Sequence, residues 1–80
     1  MIVKVLGTGC AKCGKLEEKV KEVAKTNGIE AEFIKVTDIQ EIMKYRVMMT
    51  PGLVINEKVV SYGIIPKDEQ ILNWLKENLK

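Results

Sequence analysis

Apolar residues at Ile2, Val3, Val5 and Leu6, interrupted by Lys4, predict a strand covered on both faces. Gly7-Thr8-Gly9 breaks that strand, because glycine lets the backbone turn sharply. From about Cys10 to Thr26 the apolar positions Cys13, Leu16, Val20, Val23 and Ala24 recur at helical spacing. Glu17, Glu18, Lys19, Lys21, Glu22 and Lys25 fill the opposite face. Asn27-Gly28 is the left-handed stop expected at a helix C-terminus. Ile29 to Val36 alternates in two competing registers, Ile29, Ala31, Phe33 and Lys35 against Glu30, Glu32, Ile34 and Val36, and predicts a second strand. Strand, helix and strand make a βαβ unit with parallel strands and a right-handed crossover.

Thr37 and Asp38 then offer N-caps, and Thr37…Gln40 and Asp38…Glu41 both have capping-box spacing. A short helix follows with Ile39, Ile42 and Met43 inward, ending near Tyr45-Arg46. Val47 to Gly52 is a loop, since Pro51 forces an extended residue before it. Leu53-Val54-Ile55 and Lys58 to Tyr62 read as a hairpin joined at Asn56-Glu57. Gly63 ends it. Pro66 suits a first helical turn, Asp68 and Glu69 suit its positive pole, and Ile71, Leu72, Trp74, Leu75 and Leu79 form the inward stripe. The order β-α-β-α-β-β-α predicts an α/β fold with a mixed four-stranded sheet and helices on both faces. No linker interrupts it, so residues 1–80 are expected to form a single domain.

Composition narrows the function. A net charge of +2, with lysines spread among glutamates, gives no basic patch for nucleic acid. No apolar stretch approaches the roughly 20 residues that span a bilayer. The chain opens directly on a strand with no room for a signal peptide, and a cytoplasmic location is expected. In a reducing setting a lone C-x-x-C pair is redox-active or metal-binding more often than it is a staple. Histidine is absent, which removes Ser–His and Cys–His dyads and every histidine metal site.

The two cysteines, Cys10 and Cys13, are three apart at the head of the first helix, where such residues share a face and can approach disulfide geometry. The positive pole of the helix and the charges of Lys12 and Lys15 are expected to lower the Cys10 pKa, making its thiolate the nucleophile. Cys13, one turn deeper on the apolar stripe, would resolve the mixed disulfide. Zinc normally takes four nitrogen or sulfur ligands, and two thiols without histidine fall short. Cu(I) is chemically open to two thiolates. The plain alternative is a pair of small core residues with no chemistry.

The strand–Gly-x-Gly-Cys-x-x-Cys–helix start, the Thr50-Pro51 step before a hairpin, and Gly63 before a C-terminal helix resemble the thioredoxin/glutaredoxin superfamily. The nearer resemblance is to the small thioredoxin-like redox-active disulfide proteins of archaea and anaerobic bacteria. It covers essentially the whole chain and lacks only the extra N-terminal strand and helix of full-length thioredoxins. It implies a three-layer α/β/α thioredoxin-like fold and a monomeric dithiol–disulfide oxidoreductase in which Cys10 attacks and Cys13 resolves. It also implies a cis Pro51 beside the disulfide and a Thr50 backbone that pairs with an extended substrate. Met48 and Met49 would flank the site. The implied partners are disulfide-containing proteins and an electron donor like thioredoxin reductase, with no cofactor. Read on the residues alone, Pro51 also fits the start of an edge strand.

The chain departs from the thioredoxin pattern at Gly9, where Trp is usual, and at Ala11-Lys12, where Gly-Pro is usual. The acidic residue that thioredoxins bury beneath the pair is replaced by Lys4. Its ammonium is expected to snorkel to solvent, the alternative being that it tunes Cys13. Tyr62-Gly63-Ile64-Ile65 does not match the glutathione-binding turn of glutaredoxins. Copper-chaperone domains also carry C-x-x-C after their first strand, but their order is β-α-β-β-α-β, usually with Met where this chain has Thr8. A soft-metal carrier is the alternative function.

Overall fold

The computed structural model describes residues 1–7 and 11–79. The elements are β1 (Ile2–Leu6), α1 (Ala11–Thr26), β2 (Glu32–Val36), α2 (Ile39–Lys44), β3 (Gly52–Ile55), β4 (Lys58–Tyr62) and α3 (Asp68–Glu77). The strands form one mixed sheet in the order β2-β1-β3-β4. β1 runs parallel to β2 and antiparallel to β3, and β3 pairs antiparallel with β4. The order and pairing are those of the expected α/β architecture. The turn expected at Gly7-Thr8-Gly9, and the place of Cys10 at the helix start, lie outside the described residues.

The alternation of β1 divides the interior into two cores. Val3 and Val5 pack with Leu16, Val20 and Val23 of α1, Leu53 and Ile55 of β3, and Ile71 and Leu75 of α3. Leu6 and Val54 pack on the other face with Ile42 of α2 and Val47. The layers are thus α1 with α3, then the sheet, then α2. Helix α1 buries the expected stripe of Cys13, Leu16, Val20, Val23 and Ala24. It ends in a Schellman motif: Gly28 takes φ 65°, its N–H donates to the Lys25 carbonyl at 3.2 Å, and the Ile29 N–H donates to the Ala24 carbonyl at 2.8 Å.

Four expectations are corrected. The Ile29–Val36 strand shortens to Glu32–Val36, because the helix stop consumes Ile29 and the chain reaches β1 only where Glu32 donates to the Met1 carbonyl. Ile42 alone of its trio is buried in α2, while Ile39 and Met43 are exposed, since one short helix presents a single turn to the sheet. Pro66 precedes the N-cap, Lys67, and is itself buried; Gln70 closes that end by accepting from the Lys67 N–H at 3.2 Å. Leu79 lies beyond α3 and is exposed. The Asn56-Glu57 hairpin forms as expected, with both residues at positive φ as a type I′ turn requires.

Candidate functional site

β1 ends at Leu6, and Gly7 continues toward the helix with its N–H donating to the Val36 carbonyl at 2.9 Å. Cys13, in the first turn of α1, is fully buried and disulfide-bonded. Its Sγ fills the space above Gly7. A Cβ built on Gly7 would overlap that sulfur and lie 2.8 Å from the Cys13 Cβ. The sequence offered Gly7 as a turn former; its closer role is to leave room for the sulfur. Cys10 lies outside the described residues. The first turn of α1 carries no acidic residue, and Lys12 and Lys15 are exposed.

The Thr50–Pro51 peptide bond is cis, and Pro51 is fully buried. The pairing of Leu6 with Gly52 places Gly7 and Pro51 at neighbouring strand ends, so the Cys13 sulfur and the proline share one end of the sheet. Gly63 holds the proline loop from the β4 side. It takes φ 75°, its N–H donates to the Pro51 carbonyl at 2.9 Å, and a Cβ there would meet the Met49 Cβ at 3.1 Å. Thr50 is half-buried, and its backbone N–H and C=O make no hydrogen bond among the described residues. Met48 and Met49 are exposed on this loop.

Lys4 belongs elsewhere. It pairs across the sheet with Val54, on the α2 face, whereas Cys13 is on the α1 face. Its Nζ donates to Glu57 Oε1 at 2.7 Å and to the Tyr45 hydroxyl at 2.8 Å, and lies 5.5 Å from the centre of that ring. Tyr45 donates in turn to Glu57 Oε2 at 3.1 Å. The Glu57 and Tyr45 hydrogen bonds raise the Lys4 pKa, and the Lys4 and Tyr45 hydrogen bonds lower that of Glu57. The ammonium therefore ties β1 to the hairpin turn and the end of α2 rather than tuning Cys13 or standing free in solvent. Its partners are too far apart in sequence for spacing to connect them. Among the described residues no group of three His, Cys, Asp or Glu side chains is placed to hold a metal ion.

A central sheet with two helices on one face and one on the other, and a buried half-cystine beside a cis-proline, defines a thioredoxin-fold redox protein. The sequence family described as Thioredoxin domain matches residues 1–76, and the chain belongs to that family. It is 40% identical to a thioredoxin of Methanocaldococcus jannaschii over 80 residues, covering 100% of this chain and 92% of that one. It is 34% identical to a thioredoxin of Methanothermobacter thermautotrophicus over 71 residues, covering 89% and 92%. The solved structure of thioredoxin 1 from Thermosipho africanus shares the fold at 19% identity, with a TM-score of 0.55 and full coverage of both chains.

Proposed function

We propose that this protein reduces protein disulfides by exchanging them for a Cys10–Cys13 disulfide. The observation that carries the reading is the buried, disulfide-bonded Cys13 sulfur packed on Gly7 at the sheet end that also holds cis Thr50–Pro51. With two cysteines in the chain, we take Cys10 as the intramolecular partner. The Cys10 thiolate attacks one sulfur of the target and releases the other as a thiolate. The Cys13 thiolate then attacks the Cys10 sulfur and releases the second target thiolate, so two electrons pass to the target.

Pro51 and the backbone of Thr50, which makes no hydrogen bond among the described residues, support a role in holding an extended target segment, with Met49 beside it. An electron donor of the thioredoxin-reductase kind would return the disulfide to the dithiol. We place this activity in a monomeric single domain, residues 1–80, in the cytoplasm. A soft-metal carrier is not favoured, because the order β-α-β-α-β-β-α, with a second helix between β2 and β3, differs from the β-α-β-β-α-β of copper-chaperone domains.

The test is a Cys13→Ser variant, which strands the mixed disulfide on Cys10. Covalent, thiol-reversible adducts with disulfide proteins, and insulin reduction by the unaltered protein, are expected. Absence of both overturns the reading.

A further inference from the structure

Three segments meet at Lys4 on the α2 face. Its ammonium donates to Glu57 in the β3–β4 turn at 2.7 Å and to the Tyr45 hydroxyl at 2.8 Å. That hydroxyl donates to the same carboxylate at 3.1 Å, so the triangle is closed and each corner fixes the other two. Tyr45 also caps the C-terminal end of α2. Its N–H donates to the Ile42 carbonyl at 3.1 Å, and it packs on the core of Leu6, Ile42, Val47 and Val54. The next residue, Arg46, takes φ 58°. A residue other than glycine keeps that left-handed backbone where its surroundings fix it. Here both neighbours are fixed. The triangle holds Tyr45, and burial holds Val47, whose Cγ1 lies 3.3 Å from where a Cβ on Gly52 would stand.

We propose that Lys4 and Tyr45 are positioning residues for target binding: the triangle sets the direction in which the chain leaves α2, and with it the place of the Thr50 backbone. The inference rests on the disulfide-exchange reading above and adds to it the residues that hold the target-binding loop at its start. The end of that loop has its own anchor, the Gly63 N–H on the Pro51 carbonyl. Between Val47 and Pro51 lie Met48, Met49 and Thr50 alone. So short a span has few soft dihedrals, and a change of direction at Arg46 reaches Thr50. Once the triangle is opened, Arg46 is free to relax toward negative φ, and the loop must be ordered again whenever a target docks. Lys4 thus acts on the holding of the target and not on the sulfur, which lies on the opposite face of the sheet.

The experiment compares insulin, which offers a backbone to Thr50, with dithiodipyridine, a small disulfide that offers none. The fully reduced protein is mixed with an excess of each, and single-turnover rates are followed against concentration. Tyr45→Phe keeps the ring and removes the hydroxyl, and Lys4→Met keeps the stem and removes the charge. Each should raise the half-saturating insulin concentration about threefold, as when the binding-competent loop falls to about a third of the population. The limiting rate with insulin and the rate with dithiodipyridine should both stay as in the unaltered protein. The double variant should be no worse than the worse single one, because both open the same triangle. If Lys4→Met fails to fold, Tyr45→Phe decides alone. Unchanged half-saturation with insulin, or an equal slowing with both disulfides, overturns the positioning role while leaving disulfide exchange intact. If the unaltered protein reduces neither disulfide, the underlying reading fails instead.

Discussion

The Sγ of Cys13 occupies the place that a side chain on Gly7 would need. Strand end and helix start therefore meet without a Cβ between them, and the sulfur is packed against backbone. Gly7→Ala must push the first turn of α1 outward. Overpacking of this kind costs about 1–3 kcal/mol, seen as a lower denaturant midpoint. Gly14→Ala is the control. It lies in the same helix, where no atom of the described residues outside the helix's own backbone lies within 4 Å of the new methyl, and alanine there should stabilise the protein by about 0.5–1 kcal/mol.

Burial also sets the reactivity of the pair. Cys13 has no exposed surface, and the proposed nucleophile is Cys10. Brief treatment of the reduced protein with iodoacetamide near neutral pH should modify Cys10 first, as read by peptide mass mapping. Preferential labelling of Cys13 would reverse the roles.

The Lys4–Glu57 pair gives a defined pH signature. The Glu57 carboxyl is held below its ordinary value of 4.5, so its contribution is present above that value and lost as pH falls through the folded pKa. The Lys4 ammonium is held above its ordinary 10.5, so its contribution is present below that value and lost only in strong alkali. Glu57→Gln should therefore lower the melting temperature by a steady amount from about pH 6 to 9, with the difference shrinking below about pH 4. A difference that grows in acid would contradict the pairing.

Two leucines near the C-terminal end separate packing from proximity. Leu75 is fully buried between α3 and the sheet, whereas Leu79 is exposed past the helix. Leu75→Ala should cost about 2–5 kcal/mol in chemical denaturation. Leu79→Ala should stay within about 0.5 kcal/mol.

Much of this was legible in the residues because burial follows period. The α1 stripe from Cys13 to Ala24, the Gly28 stop and the Asn56-Glu57 hairpin are local patterns, and each has its expected form. The sequence misleads where one face has little to cover. A six-residue α2 buries only Ile42, so Ile39 and Met43, indistinguishable from core by spacing, are left exposed. At β2, an edge strand with mixed burial, neither register dominated: Phe33 joins the α1 core and Val36 the α2 core. The partners of Lys4, and the contact of Gly7 with Cys13, depend on how the sheet brings distant segments together. No spacing rule encodes them.

The position of β1 also bears on how the chain is made. It is the first strand in sequence and an inner strand of the sheet. Val3 meets Phe33 thirty residues on and Ile55 fifty-two residues on. A chain leaving the ribosome can complete the β1–α1–β2 unit early, but one side of β1 stays unpaired until β3 emerges. Through that interval an apolar strand with open backbone donors and acceptors is presented to the surroundings. Crowding by other nascent chains is then the hazard, and it ends when residues 52–55 arrive.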